Sequence, residues 1–491
     1  MAIAQAHVSS CVDPTWDGVF PLPLTPMEAF LLADGRAGYP MMADIQLHFG
    51  GALDRDLFES ALYDALARNP LFRCIVGRDP QLGQVWLTAA EMPSIDWAPL
   101  GEPLDERYDA NVDLTTQIGL RIWVRQGAER STVLLHFHHA CADALGTFAF
   151  VEDLLASYAT ICPGGQTIAR RPLVPLRLRR RGLASIPSRN WYQQIFDLVF
   201  GGREALRFFL QSPTPIAGGK RAADNARSAD PPLPAGGAPP VDRKSTAQTT
   251  TAPNEMRTRA LGPELTAKLR RVASEAGVTV NDLLLCDMFV TMRRWNAEHG
   301  QADGRSRLRI LMPQNLREPE DAATPAANIM SFAFLTRRSD RCQDSRGLRK
   351  SVHTETEAIR RGRLSAYFLG SLATALAAGL LDRLLASRIC FSTVVLSNFG
   401  VPTRRFVAEF PRTAEGLVVG NTVFCGVTGV PPTRPGTRAA FAVVSSSQDL
   451  TISLKCDPRH FGPIDAARLL DEYVNQVAAT ATRDQAGGKN R

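Results

Sequence analysis

No part of this 491-residue chain limits its fold more than the segment Pro213–Pro253, because nothing in that segment can build a core. It is rich in Pro, Ala, Gly, Ser and Thr and poor in bulky apolar residues, so burial cannot offset the entropy of ordering it. The composition predicts a disordered linker. Residues 21–212 and 254–485 then fold on either side of it, each long enough to enclose a core. The chain is 45% hydrophobic and 21% charged, which is the make-up of a folded protein.

Helical and extended signals interleave on both sides of the linker, which predicts a mixed α/β class with two lobes. In the first part, Thr25 and Pro26 supply a cap and a first-turn proline for a helix from Met27. Asp54–Asn69 carries Leu57, Leu62, Ala65 and Leu66 at helical spacing behind Asp54 as cap. Ile45–Phe49, Leu71–Val76, Gln84–Leu87, Gly119–Arg125 and Thr132–His136 read as strands, and Thr147–Tyr158 as an amphipathic helix. In the second part, Pro263–Ala276, Val280–Trp295 and Ile464–Thr482 read as helices. Met256–Ala260, Leu308–Met312, Ile389–Ser397, Thr422–Val427, Ala439–Ser446 and Leu450–Cys456 read as strands. The apolar run Leu364–Leu381 is rich in Ala, barely spans a bilayer and is followed by Asp382 and Arg383, so it predicts a buried helix rather than a membrane span.

The net charge of +7 suits an anionic cosubstrate or an anionic membrane surface. No recognition helix or RNA-binding signature accompanies it, so nucleic acid is not expected as a partner. The nine cysteines are scattered and form no CxxC pair, which argues against a disulfide framework or a zinc site and for a reducing, cytoplasmic setting. Met1–Pro14 lacks the basic and apolar regions of a secretory signal. A basic stretch, Arg170–Arg181, precedes the aromatic-rich Trp191–Leu210. That pattern fits a helix docked on the protein body with its arginines in water, the favoured reading, or a peripheral contact with a membrane.

Three of the eight histidines fall within four positions of one another in His136-Phe137-His138-His139-Ala140-Cys141-Ala142-Asp143, where an apolar strand gives way to a helix. An imidazole near its reference pKa of about 6.5 can accept a proton at neutral pH. An aspartate four residues on can fix the loop by pairing with a distant basic residue. The same residues also allow a structural cluster, or a metal site made of His136, His138 and Asp143. No HExxH-type ligand motif accompanies them, which disfavours metal.

His138-His139-xxx-Asp143 resembles the HHxxxD motif of the acyltransferase superfamily that includes chloramphenicol acetyltransferase, nonribosomal peptide condensation domains and the wax ester synthase/diacylglycerol acyltransferases. Leu24-Thr25-Pro26-Met27-Glu28 is similar to the "LTPxE/D" opening of these enzymes. Three further segments resemble the wax ester synthase branch. They are Val278–Leu285 ("TVNDVLL"), Pro313–Arg317 with Asn328 downstream ("PVxLR…N"), and Leu396–Pro402 ("SNVPGP"). The order of segments agrees from about Leu24 to about Ala479. Two positions depart from the pattern: Ala144 follows the aspartate in place of glycine, and Phe399-Gly400 stands in place of Val-Pro-Gly.

The resemblance implies two chloramphenicol acetyltransferase-like lobes, each a mixed sheet with helices, with a tunnel between them. It implies an acyltransferase that moves an acyl group from a thioester, acyl-CoA or carrier-protein bound, to a small-molecule or lipid alcohol. His139 would be the general base, and His138 would orient the loop. Asp143 would brace it through a charge pair with Arg317. Asn398, with Ser397, would either place a donor near the acceptor hydroxyl or oxyanion, or tie down a turn beside Gly400. No bound cofactor or metal is implied. The alternatives are a condensation-type enzyme served by an acyl carrier protein and a non-catalytic binding protein of the same fold.

Overall fold

The computed structural model describes residues 15–36, 38–182, 208, 211–219, 256–343, 345–362, 365–386, 390–446 and 449–487. Local chemistry sets its helix starts. In α1 (Pro26–Asp34) the Thr25 hydroxyl accepts from Glu28 N while the Glu28 carboxylate accepts from Thr25 N, so each end of the capping box satisfies the other. Asp54 caps α2 (Arg55–Arg68) and Asp143 caps α3 (Ala144–Ile161) in the same manner, each by one carboxylate oxygen. Helix α3 is long and apolar enough to cross a bilayer by composition, yet most of it is buried, and it packs against α2 as a core helix.

The first lobe is built on a six-stranded sheet. In order across it lie β12 (Leu417–Val419), β13 (Thr422–Val430), β2 (Met42–Gly50), β7 (Arg130–His138), β6 (Leu120–Gln126) and β5 (Ile95–Pro99). Only β5 and β6 run parallel. A small sheet of β1 (Leu22–Pro23), β4 (Gly83–Thr88) and β3 (Cys74–Asp79) sits beside it. The second lobe has its own six strands: β10 (Met330–Arg338), β9 (Arg307–Asn315), β11 (Val394–Gly400), β14 (Ala439–Ser445), β15 (Leu450–Cys456) and β8 (Arg257–Ala260). Here β11 runs parallel to both neighbours and the rest are antiparallel. Helices α4 (Gly262–Glu275), α5 (Val280–Glu298) and α9 (Pro463–Gly487) share one core with this sheet, while α6 (Arg346–Gly362), α7 (Ser365–Ala377) and α8 (Leu381–Ala386) lie between β10 and β11 in the chain. The architecture is a two-lobed α/β fold with mixed sheets.

Several sequence expectations need correction. Thr422–Val427, placed by the sequence in the second part, extends to Val430 and hydrogen-bonds into the first lobe's sheet against β2. Periodicity identifies such a strand but carries no information on its partner. Pro213–Gly219, expected to be disordered, packs on the second lobe. Ile216 and Ala217 are buried, Thr214 N donates to Arg307 O, and Ala217 N donates to Asn296 Oδ1. Burial of Ile216 and backbone hydrogen bonds to the second lobe together anchor this segment. The rest of the expected linker, and Trp191–Leu210 apart from Phe208, lie outside the described residues. Phe208 packs against Phe334 and Phe391. The expected strand Leu71–Val76 is strand only from Cys74, because its first three residues complete a 3-10 turn that Pro70 opens. In the expected buried helix, Leu369 and Leu372 face the core but Leu376 and Leu380 are exposed. Only the face toward α1 and β10 is covered.

Candidate active site

The lobes are bridged by polar contacts that residues far apart in sequence must meet to make. Lys455 on β15 reaches Asp44 on β2 at 3.0 Å. Arg434 forks onto Asp34 through Nε (2.7 Å) and Nη2 (2.9 Å). Arg171, just after α3, donates to Thr324 O in the second lobe while pairing with Asp153 in the first. The histidine loop lies between lobes joined in this way.

Strand β7 delivers that loop. Its ladder with β2 sets His136 opposite Asp44, and His139 N still donates to Met41 O at 2.8 Å beyond the last strand residue. The chain then turns, with Cys141 N donating to His138 O, and α3 begins at Ala144 under the Asp143 cap. Phe137 points to the first lobe's core and meets Phe72 edge-on at 5.6 Å.

Asp143 is the loop's main brace. One carboxylate oxygen accepts from Gly146 N (2.7 Å). The other accepts from Ile329 N (2.8 Å) and from Arg317 Nη1 (2.8 Å). Arg317 Nη2 also donates to Ala327 O (2.9 Å). Asp143 therefore ties the start of α3 to the chain between β9 and β10 of the other lobe. Space is tight where they meet: a Cβ on Gly146 would come within 2.5 Å of Ala327 O, so only glycine fits. Asn328 adds a clamp, its Nδ2 donating to His139 O (2.9 Å) and Ala140 O (2.8 Å). In the sequence Asn328 was only a downstream motif residue. Its contact spans nearly the distance between the two parts of the chain, and no local pattern carries such a signal.

Within this frame the three histidines differ. His136 is fully buried, and its Nδ1 lies 2.6 Å from Asp44 Oδ1. His138 is buried, and its Nδ1 accepts from Ala140 N at 3.2 Å. Burial, then the neighbouring histidines, push its pKa down to about 3. It is a neutral brace. His139 is only partly buried. Its Nδ1 lies 3.1 Å from Ala142 O, and its Nε2 has no hydrogen-bond partner among the described residues. Burial holds its pKa below the ordinary value, against the opposing pull of the Asp143 charge.

A carbonyl oxygen only accepts, so the hydrogen of this bond belongs to His139 Nδ1. Nε2 is then the unprotonated nitrogen, with its lone pair free. That is the tautomer a general base needs. Cys141 is fully buried, and burial raises its thiol well above the usual range, which leaves it unsuited to act as a nucleophile.

The metal alternative, His136 with His138 and Asp143, does not converge. Asp44 takes His136, the backbone takes His138, and Arg317 and two amides take Asp143. Among the described residues no group of three or more His, Cys, Asp or Glu side chains could hold a metal ion.

Ser397 and Asn398 lie near the end of β11. Ser397 is buried. Asn398 is exposed, and both ends of its amide are engaged: Oδ1 accepts from Gly400 N (2.9 Å) and Nδ2 donates to Asn281 Oδ1 (3.0 Å). Gly400 has φ of +65°, the left-handed region, so Asn398 fixes a sharp turn there. Neither residue has a hydrogen bond to the histidine loop among the described residues.

Solved structures with this fold are known. The first condensation domain of the calcium-dependent antibiotic synthetase, in complex with a substrate analogue, superposes with a TM-score of 0.64 at 15% identity, covering 94% of this chain and 96% of its own. The chain has a condensation-domain fold. The starter condensation domain of rhizomide synthetase, a double alanine variant in complex with C8-CoA and Leu-SNAC, gives a TM-score of 0.61 at 13% identity and 94% coverage of both chains. SgcC5 from Streptomyces globisporus gives 0.57 at 15% identity, covering 94% of this chain and 99% of its own. In sequence, the uncharacterized protein Rv2305 of Mycobacterium tuberculosis is 26% identical over 335 residues, 66% of this chain and 68% of that protein. No family model matches. At these identities the condensation-domain likeness speaks for the fold, and the chemistry must come from the site itself.

Proposed function

We propose that this condensation-fold chain is an acyltransferase that moves an acyl group from a thioester to an alcohol, with His139 as general base. The observation that carries the reading is the contact of His139 Nδ1 with Ala142 O at 3.1 Å, on a partly exposed residue; because a carbonyl only accepts, this contact leaves Nε2 as the unprotonated nitrogen. The acceptor would reach Nε2 through a channel between the lobes. As its oxygen attacks the thioester carbonyl, the O–H bond breaks and Nε2 takes the proton. The tetrahedral intermediate then collapses, the C–S bond breaks, and the imidazolium returns the proton to the leaving thiolate. General-base assistance of this kind contributes roughly 10²–10⁴-fold. No covalent acyl-enzyme is needed, in keeping with the buried thiol of Cys141.

Coenzyme A as the donor's carrier and a lipid alcohol as acceptor are favoured by the segments similar to the wax ester synthase branch. A second reading is favoured by the condensation-domain neighbours: a carrier-protein thioester condensed with an amine by the same proton transfer. A cytoplasmic reaction, with peripheral membrane contact for a lipid acceptor, belongs to the first reading. The eight described cysteines are all free thiols, which fits a reducing compartment.

The test is to offer purified protein acyl-CoA donors of several lengths with alcohol, diacylglycerol and amine acceptors and to follow thiol release. His139→Ala should fold normally and lose transfer by two orders of magnitude or more. A fully active His139→Ala enzyme would overturn the mechanism.

A further inference from the structure

The second-lobe chain that clamps the histidine loop is itself held by a first-lobe side chain that the base mechanism does not use. Asn69, the residue after α2, is fully buried, and its amide is bonded on both sides. Nδ2 donates to Ala65 O (2.9 Å), one of the last carbonyls of α2, and to Asp153 Oδ2 (2.8 Å) on α3. Oδ1 accepts from Arg171 Nη2 (3.0 Å) and from Ala326 N (2.8 Å) of the second lobe. Two acceptors on one side and two donors on the other fix which way the amide faces, because turning it over would set N–H against N–H. The surroundings keep it there. Arg68 Nε donates to Asp153 Oδ1 (3.1 Å), and Arg171 Nη1 donates to Thr324 O (3.0 Å), two residues before Ala326.

From Ala326 to the loop the chain has no slack. Ala326, Ala327, Asn328 and Ile329 are all buried. Arg317 Nη2 holds Ala327 O (2.9 Å), and Ile329 N donates to Asp143 Oδ2 (2.8 Å). Two peptide units join Ala326 to Asn328, a reach of at most about 7 Å. Asn328 cannot centre its own clamp. Its Nδ2 is given to His139 O and Ala140 O, while its Oδ1 is buried with no hydrogen-bond partner among the described residues. The place of its backbone therefore decides where the clamp closes, and Asn69 holds that backbone two residues upstream.

We propose that Asn69 is a positioning residue for the base: by holding the Ala326 amide it sets where Asn328 grips the His139–Ala140 backbone, and so where the His139 ring stands. The proposal rests on the reading of His139 as general base for its meaning. Its structural half, the hold on the loop, is measurable without turnover.

The experiment compares two substitutions that both remove the amide's donated bonds. Asn69→Asp keeps an oxygen for Ala326 N, and its charge is offset because Arg68 and Arg171 share the single carboxylate of Asp153. Asn69→Leu fills similar space and has no acceptor. Asn69→Ser, whose hydroxyl stops short of Ala326, stands in if the leucine variant does not fold. Thiol release gives kcat and KM, and mass spectrometry follows backbone amide exchange over residues 139–143. Asn69→Leu is expected to lower kcat about tenfold or more with KM near that of wild type, since a shift of about 1 Å at a reacting group costs up to about 10²-fold. Asn69→Asp should keep most of kcat, whatever each variant loses in melting temperature. Asn69→Leu combined with Asn328→Ala should lose no more kcat than Asn328→Ala alone, because the two act in series. Equal kcat losses in the Asp and Leu variants, no loss in either, or losses that multiply in the double variant would each overturn the proposal. The two readings also fail separately. Loop amides that exchange faster in Asn69→Leu than in Asn69→Asp, in a protein that acylates no acceptor, keep the hold on the loop and remove the base. Transfer that depends on His139 but is the same in wild type and both Asn69 variants does the reverse.

Discussion

His136 and His139 are three residues apart at the end of one strand, and the fold places them in opposite surroundings. His136 is sealed in a buried polar cluster that joins the lobes. Its Nδ1 meets Asp44 Oδ1, while Asp44 Oδ2 accepts from Tyr108 Oη (2.7 Å) and from Lys455 Nζ (3.0 Å). Lys455 also lies over the Tyr108 ring at 4.9 Å. Every charge there has an opposite partner, and none is left for a substrate. His139 has one nitrogen fixed by the backbone and the other unclaimed. Burial lowers the pKa of both rings, so depressed basicity alone does not mark the one proposed as base. What separates them is whether the second nitrogen can be reached. His136 Nε2 is buried without a partner, while His139 belongs to a ring that stays partly open.

The largest expected effect breaks this comparison on the functional side. His139→Ala should cut acyl transfer roughly 10²–10⁴-fold and leave the melting temperature near that of wild type. The ring's one hydrogen bond goes to a local carbonyl, and the clamp on its backbone is made by Asn328. If its stability falls as far as its activity, the ring is structural and the two histidines are alike after all.

The next breaks it on the structural side. Lys455→Ala leaves the Asp44 carboxylate buried with one cation fewer, and removing one member of a buried ion pair costs about 3–5 kcal/mol. Denaturant unfolding should show that loss, with kcat of the surviving folded fraction close to wild type. A stable variant would mean that Tyr108 and His136 suffice to hold the charge. A variant whose stability is intact but whose transfer is lost would move the proposed catalytic centre from His139 to the Asp44–His136 cluster.

How far the sequence allowed this distinction to be drawn depends on the range of each signal. The cluster of histidines, the Asp54 and Thr25 caps and the apolar periods of α2, α3 and α5 are local, and local chemistry fixes them. Arg317 as a partner for Asp143 could be named because a short motif carries it, although the two are 174 residues apart. Nothing comparable announces Lys455 to Asp44, Asn328 to the loop, or β13 to β2. Each is a pairing across the two parts of the chain, decided by which strands share a sheet. The strand β10 escaped the periodicity reading as well, although Phe332 and Phe334 meet Phe368 across its face at 5.4 and 5.5 Å. Its alternation is broken by Ser331 and Ala333 among the larger apolar residues, so the period is weak.

Acid sharpens the comparison with a smaller effect. Asp44 is held below the ordinary carboxylate range by Lys455 and His136 against the cost of its burial. A carboxylate depressed in the folded state stabilises above its unfolded pKa of about 3.9 and loses that contribution as pH falls through its folded value. His138, held at about 3 by burial, works in the same direction from a higher pH. The unfolded chain takes up a proton on this histidine below about 6.5 and the folded one does not, so stability falls by at most about 1.4 kcal/mol per pH unit between those values. Unfolding free energy should therefore decline from pH 6.5 to pH 5, and His138→Gln should flatten that slope even if it lowers the starting value. Transfer activity should persist to a lower pH than a free histidine would allow, because His139 is also depressed. An acid limb at or above pH 6.5 would contradict that assignment.

The smallest effect concerns Asn398, for which the sequence allowed both an oxyanion donor and a turn-fixing side chain. Both ends of its amide are already bonded, to Gly400 N and to Asn281. To serve an oxyanion, Nδ2 would have to leave Asn281 Oδ1, giving up one hydrogen bond to make another. Asn398→Ala then removes a turn fixture rather than a donor and should cost about 0.5–1.5 kcal/mol of stability, with kcat within tenfold of wild type. An oxyanion donor behaves otherwise, because its loss lowers kcat about 10²–10³-fold. Asn281→Ala decides between them. It frees Nδ2 without touching Asn398, so it leaves transfer intact if the amide only holds the turn. If Nδ2 is the donor, losing Asn281 removes the acceptor that competes with the oxyanion for it, and kcat rises.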